Sequence, residues 1–193
     1  MFRLKLPTDP RWANIANGNL EEILTDHAWC EQKAASNAIT LITMMPEYTE
    51  IMTGLLEIAR EELEHFEQVR EIIKSRGWTL GRERKDSYVN ELYAFMKKGG
   101  SRQQQLIERL LFAAMIEARS CERFKVLSDN IDDEELAVFY RELMISEANH
   151  YTAFLGFANQ LESVIDVKAR WDEWLEHEAK IISSYGNSEA IHG

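Results

Sequence analysis

Two tetrapeptides, Glu62-Leu63-Glu64-His65 and Glu147-Ala148-Asn149-His150, constrain this chain more than any other feature. In an α-helix, residues three apart stack one turn over the next, so each Glu-x-x-His presents a carboxylate and an imidazole side by side. Each has a further glutamate upstream, Glu31 standing 31 residues before Glu62 and Glu117 standing 30 before Glu147. In an antiparallel helical hairpin, residues equidistant from the turn lie at the same height, so this spacing can be tested. The midpoint of Glu31 and Glu62 falls between Pro46 and Glu47, where proline stops a helix. The midpoint of Glu117 and Glu147 is Asp132, inside the turn-forming run from Ser128 to Asp133. Glu122 would shift that midpoint into the following helix and Glu108 would shift it back before the turn, so Glu117 is preferred.

Four carboxylates and two histidines on four helices are the ligand set of a carboxylate-bridged dinuclear iron or manganese site in a helical bundle. Glutamate is common on solvated helix faces, and a single Glu-x-x-His is more often surface than site. The joint pattern weighs differently because its neighbours are apolar or small: Phe66, Ala113, Ala114, Leu143, Met144 and Phe154. Ionised carboxylates buried among such residues without cations would repel one another and lose their hydration, a cost that a pair of divalent cations removes. Mixed carboxylate and imidazole donors suit iron or manganese better than zinc, with iron favoured.

The rest of the chain fits an all-α reading. Residues 1–18 read as an irregular lead containing Pro7 and Pro10. Long helices are expected over about 19–45, 48–76, 101–128 and 133–160, giving a four-helix bundle over 19–160. Between the second and third lies a long crossover, punctuated by Gly77, Gly81, Gly99 and Gly100 and holding a short helix over 87–98. An extra C-terminal helix over about 166–185 carries Trp171 and Trp174 and is expected on the outside; the tail from Gly186 reads as loose. The 193 residues are expected to form a single domain. No run of eighteen apolar residues exists and the N-terminus lacks a signal-like apolar segment, so the expected location is cytoplasmic. Cys30 and Cys121 read as reduced thiols in a core, and two cysteines are too few for a four-thiolate centre. Electrons for any oxygen chemistry therefore have to come from an external donor.

Other candidates read as structural. His27 lies one turn before Glu31, and a packed core histidine is the favoured role, with a group behind the metal ligands or a substrate-pocket residue the alternatives. His177, in Glu176-His177-Glu178, is read on a solvated face, and His192 is in the tail. Tyr151 is read as core packing.

The runs around the ligands are more specific than the ligands alone. The segments 27–35, Glu61-Glu62-Leu63-Glu64-His65-Phe66, Ile116-Glu117-Ala118-Arg119-Ser120-Cys121-Glu122-Arg123-Phe124 and Glu147-Ala148-Asn149-His150-Tyr151 resemble the tRNA 2-methylthio-isopentenyladenosine hydroxylases, the MiaE family. The resemblance covers about residues 5–185. It implies a ferritin-like di-iron monooxygenase that uses O2 and an external reductase to hydroxylate the isopentenyl group of the modified adenosine beside the tRNA anticodon. It also implies iron ligands at Glu31, Glu62, His65, Glu117, Glu147 and His150. The alternatives are a ferritin-like protein that oxidises or stores iron, or a di-iron oxygenase acting on a lipid or small hydrocarbon.

A net charge of −11 opposes phosphate binding over the surface as a whole. Its distribution is uneven: residues 70–109 hold ten Lys or Arg against five Asp or Glu. Arg82, Arg84 and Lys85 are candidate tRNA contacts, with a solubilising loop as the plain alternative, and Arg119 and Arg123 are read either as phosphate contacts or as partners of acidic neighbours. Monomer and dimer are both compatible with the sequence.

Overall fold

The computed structural model describes residues 2–161 and 165–184. The expected tail from Gly186, His192 and the end of the last helix at Tyr185 lie outside the described residues. Seven helices and no strand occur among the described residues: α1 (Trp12–Gly18), α2 (Leu20–Met44), α3 (Thr49–Ser75), α4 (Ser87–Phe95), α5 (Arg102–Asn130), α6 (Glu134–Gln160) and α7 (Val167–Ser184). None of these helices is long and apolar enough to cross a membrane.

The described residues divide into two compact units. One, built from Ala16–Lys85, is the α2–α3 hairpin with the first part of the crossover. Its turn is residues 45–48, where Pro46 follows the cap and the Tyr48 amide donates to the Met45 carbonyl at 3.0 Å. Ile23, Leu24, Ala35, Ala38 and Leu41 of α2 and Ile51, Leu55, Ala59, Val69 and Ile73 of α3 are buried at the three-and-four spacing that a single apolar stripe requires. Arg76 closes α3, and Gly77 takes a φ of 75°, a left-handed conformation that glycine adopts without strain.

The other unit contains the lead, α4, the α5–α6 hairpin and α7. Here the ends are written into the sequence. Ser101 and Gln104 form a capping box at the start of α5, and the Asp133 carboxylate accepts the Leu136 amide at 3.0 Å to start α6. Asp86 does the same for α4 through the Val89 amide at 2.9 Å. That short helix ends at Phe95, three residues before the expected boundary, because Met96 turns to extended backbone before the two glycines. The lead is not wholly irregular as expected. Asp9-Pro10 starts a helix in the way that proline at a first turn favours, and α1 then buries Trp12, Ala13 and Ala16. The last helix is more deeply set than an outer layer: Trp174 and Glu178 are fully buried.

Candidate metal centre

In the α2–α3 hairpin, Glu31 and Glu62 meet as the equidistance argument requires, and both are buried. One ligand atom from each of Glu31, Glu62 and His65 lies within 4.8 Å of the other two. His65 Nδ1 stands 3.7 Å from Glu31 Oε2 and 3.7 Å from Glu62 Oε2. One turn before Glu31, His27 places its Nε2 2.5 Å from Glu31 Oε1. Burial pushes the Glu31 carboxyl up, but Glu62, His27 and His65 around it more than offset this and hold it well below the usual carboxylate range. His27 is fully buried, as the packing role expects, and its contact with Glu31 also fits the alternative of a group behind a ligand candidate.

In the α5–α6 hairpin, Glu117, Glu147 and His150 form the corresponding triad. All three are buried, and one ligand atom from each lies within 4.8 Å of the others. His150 Nδ1 is 3.9 Å from Glu147 Oε2. The two rivals of Glu117 are engaged elsewhere. Glu108 forms a double ion pair with Arg170, at 2.5 and 2.7 Å, and Glu122 pairs with Arg119 at 2.9 Å.

Arg119 is the centre of a buried network that the sequence left open. Its guanidinium also reaches Glu178 Oε1 at 2.8 Å and 2.5 Å, Thr8 Oγ1 at 3.3 Å and the Leu6 carbonyl at 3.0 Å. Thr8 in turn gives its amide and hydroxyl to Glu122, and the Tyr88 hydroxyl is 3.2 Å from Glu178. Arg119 is fully buried, so of the two expected roles the structure selects pairing with acidic neighbours, and phosphate contact is excluded for it. Arg123 lies 4.3 Å over the Trp12 ring; burial and the nearby Arg119 pull it down to about 10. The reading of a solvated Glu176-His177-Glu178 face is corrected: Glu178 closes this network, and His177 stacks on Phe95 with centroids 3.9 Å apart. The helical period carried the missing signal, since Trp171, Trp174, Glu178 and Ile181 share one buried face.

The donor chemistry fits iron. Each triad is oxygen-rich with one imidazole, and among the described residues no thiol joins either group of candidate donors. Cys121 donates to the Met144 carbonyl at 3.0 Å, and burial with Glu117 and Glu122 close by pushes its pKa up to about 12, so it stays a neutral thiol. Cys121 is buried in the core as expected, while Cys30 is only half-buried. Arg82, Arg84 and Lys85 are exposed; Arg84 pairs with Glu22, and Lys33 with Glu83 at 3.0 Å.

Buried glutamates paired with a Glu-x-x-His on helical hairpins define the class of ferritin-like di-iron proteins. The solved "Protein 43 with aldehyde deformylating oxygenase activity from Synechococcus" matches with a TM-score of 0.91 and 32% identity, over 98% of this chain and 95% of that one. Within the class, the family model described as tRNA-(MS[2]IO[6]A)-hydroxylase (MiaE) matches residues 2–193, and the chain belongs to that family. Two curated relatives carry the name tRNA 2-(methylsulfanyl)-N(6)-isopentenyladenosine(37) hydroxylase. The protein of Pseudomonas putida is 37% identical over 164 residues, covering 85% of this chain and 78% of the relative. That of Salmonella typhimurium is 30% identical, covering 98% of this chain and 87% of the relative.

Proposed function

We propose that this enzyme is an O2-dependent di-iron monooxygenase that hydroxylates the isopentenyl group of 2-methylthio-isopentenyladenosine next to the tRNA anticodon. The observation that carries this reading is the family match over the whole chain, joined to two buried triads of the same composition. In this reading the whole chain works as one catalytic domain, and Glu31, Glu62, His65, Glu117, Glu147 and His150 hold two irons in one centre. The bound irons would supply the reduction of O2, placing one oxygen atom in a C–H bond and the other in water with two electrons and two protons from an external reductase. The protein's part is to hold and shield. His27 fixes Glu31, buried Ala113, Ala114, Leu143 and Phe154 keep water from the ligands, and the carboxylates balance the charge of the cations. The location is cytoplasmic, where the tRNA substrate is, and the working form is a monomer or dimer rather than a storage shell.

The Synechococcus neighbour favours one second reading, deformylating oxygenation of an aldehyde by the same centre. Reduced, iron-loaded protein given 18O2 and either tRNA bearing the modified base or a long-chain aldehyde separates the two. The tRNA reading requires one 18O atom in the nucleoside and no formate from the aldehyde. Formate without labelled nucleoside would establish the second.

A further inference from the structure

We infer that the groove between α4 and the start of α5, bounded by Tyr93, Lys98 and Arg109, docks the RNA strand beside the target nucleotide. This inference rests on the tRNA reading given above. The groove has a volume of about 150 Å³ and is lined by Tyr93, Met96, Lys97, Lys98, Gln105 and Arg109, with Glu108 at its base. Tyr93 is 48% exposed, unusual for an aromatic ring with a packed edge, and stands perpendicular to Phe112 at 5.9 Å. Its ring is therefore held in place while one side faces solvent. A fixed aromatic face beside cationic side chains is the recurring means of holding a single-stranded nucleotide: the base stacks and the phosphates take the charges.

The charge around the groove is arranged for an anion. Between residues 97 and 109 the cations are Lys97, Lys98, Arg102 and Arg109, and the single acid is Glu108. Glu108 is buried, and its two oxygens are held from behind by Arg170, at 2.5 and 2.7 Å. Glu108 Oε2 also receives the Lys97 amide at 3.1 Å. Lys97 spends part of its charge on Glu173 at 3.0 Å, which leaves Lys98 and Arg109 as the principal phosphate partners. The amides at the start of α5 add little, because the Ser101–Gln104 capping box uses two of them, at 2.7 and 3.2 Å. Recognition therefore falls to side chains. Arg109 lies eight residues before Glu117 on the same helix, about 12 Å along its axis, within reach of the nucleotides flanking a base flipped toward Glu117.

The test measures binding of tRNA carrying 2-methylthio-isopentenyladenosine to the iron-loaded enzyme by fluorescence anisotropy across a salt series, with KM from hydroxylation. Lys98→Glu/Arg109→Glu should weaken binding at least about tenfold near 0.1 M salt and flatten the salt slope by about 1.4, two single-strand phosphate contacts. Tyr93→Ala should weaken binding by about tenfold, with Tyr93→Phe restoring it. Bound iron should be retained throughout, and Lys74→Glu, an exposed reversal on α3, should change nothing. Unchanged affinity and slope in the double reversal, with wild-type hydroxylation intact, would overturn the groove and leave the enzyme reading standing. A wild type that neither binds nor hydroxylates the tRNA would overturn both.

Discussion

Glu31 and Glu117 hold corresponding places in two hairpins, yet what stands behind each differs. Four residues before Glu31, His27 supports the carboxylate from the same helix at 2.5 Å. Four residues before Glu117 the chain has Ala113, which can make no such bond, and the long-range tie on this helix is at Arg119, two residues on, which joins α5 to Thr8, 111 positions earlier, and to Glu178, 59 positions later. The spacing of the candidate ligands is repeated to within one residue, and the His27 contact is not. A symmetric set of ligands needs only that each hairpin close at the right height, whereas the means of fixing each ligand can diverge once the spacing is set.

The largest expected effect comes from the shared part. Glu62→Ala or Glu147→Ala should lower iron content and hydroxylation at least about a hundredfold alike, measured by metal analysis and nucleoside mass spectrometry. Loss in one hairpin's variant only would break the equivalence. Next comes the long-range support. Arg119→Met strands the buried Glu178 and Glu122 and should destabilise the fold by about 3–5 kcal/mol, seen as a fall in Tm of about 10 °C. Adding Glu178→Gln and Glu122→Gln to it should recover part of the loss. The local support is weaker: His27→Ala should reduce affinity for one iron of the pair by about tenfold to a hundredfold with little change in Tm, read by chelator competition. An equal effect on both irons would show that the supports are not separate.

The smallest effect concerns pH. Lys97, and then Arg170, hold the exposed Glu173 carboxyl below the usual glutamate value of 4.5. Its contribution is present above that value and is lost as pH falls through the lowered one. Because the group is solvent-screened, Glu173→Gln should cost less than about 1 kcal/mol near pH 7, and the difference from wild type should shrink in acid.

The two buried triads were legible because their constraints are local and periodic. Glu-x-x-His needs only helical pitch, and the hairpin midpoints need only Pro46 and the 128–133 turn. The four long helices were readable for the same reason. The Arg119 network was not, since it joins Thr8, Glu122 and Glu178 through contacts that no spacing rule connects. Nor was α1, because two prolines in a short lead suit an irregular segment as well as the helix start that Asp9-Pro10 provides. For His27 the sequence leaves packing and a group behind the ligands both open, because buried histidine and ligand-orienting histidine share one sequence signature.

The central claim is that the two hairpins hold one dinuclear centre. Iron titration followed by Mössbauer spectroscopy in a weak and a strong applied field tests it most directly. The account predicts two irons per chain that are magnetically coupled, and loss of that coupling together with iron in both Glu62→Ala and Glu147→Ala. Two uncoupled irons, each removed singly by the variant in its own hairpin while the other stays bound, would contradict it.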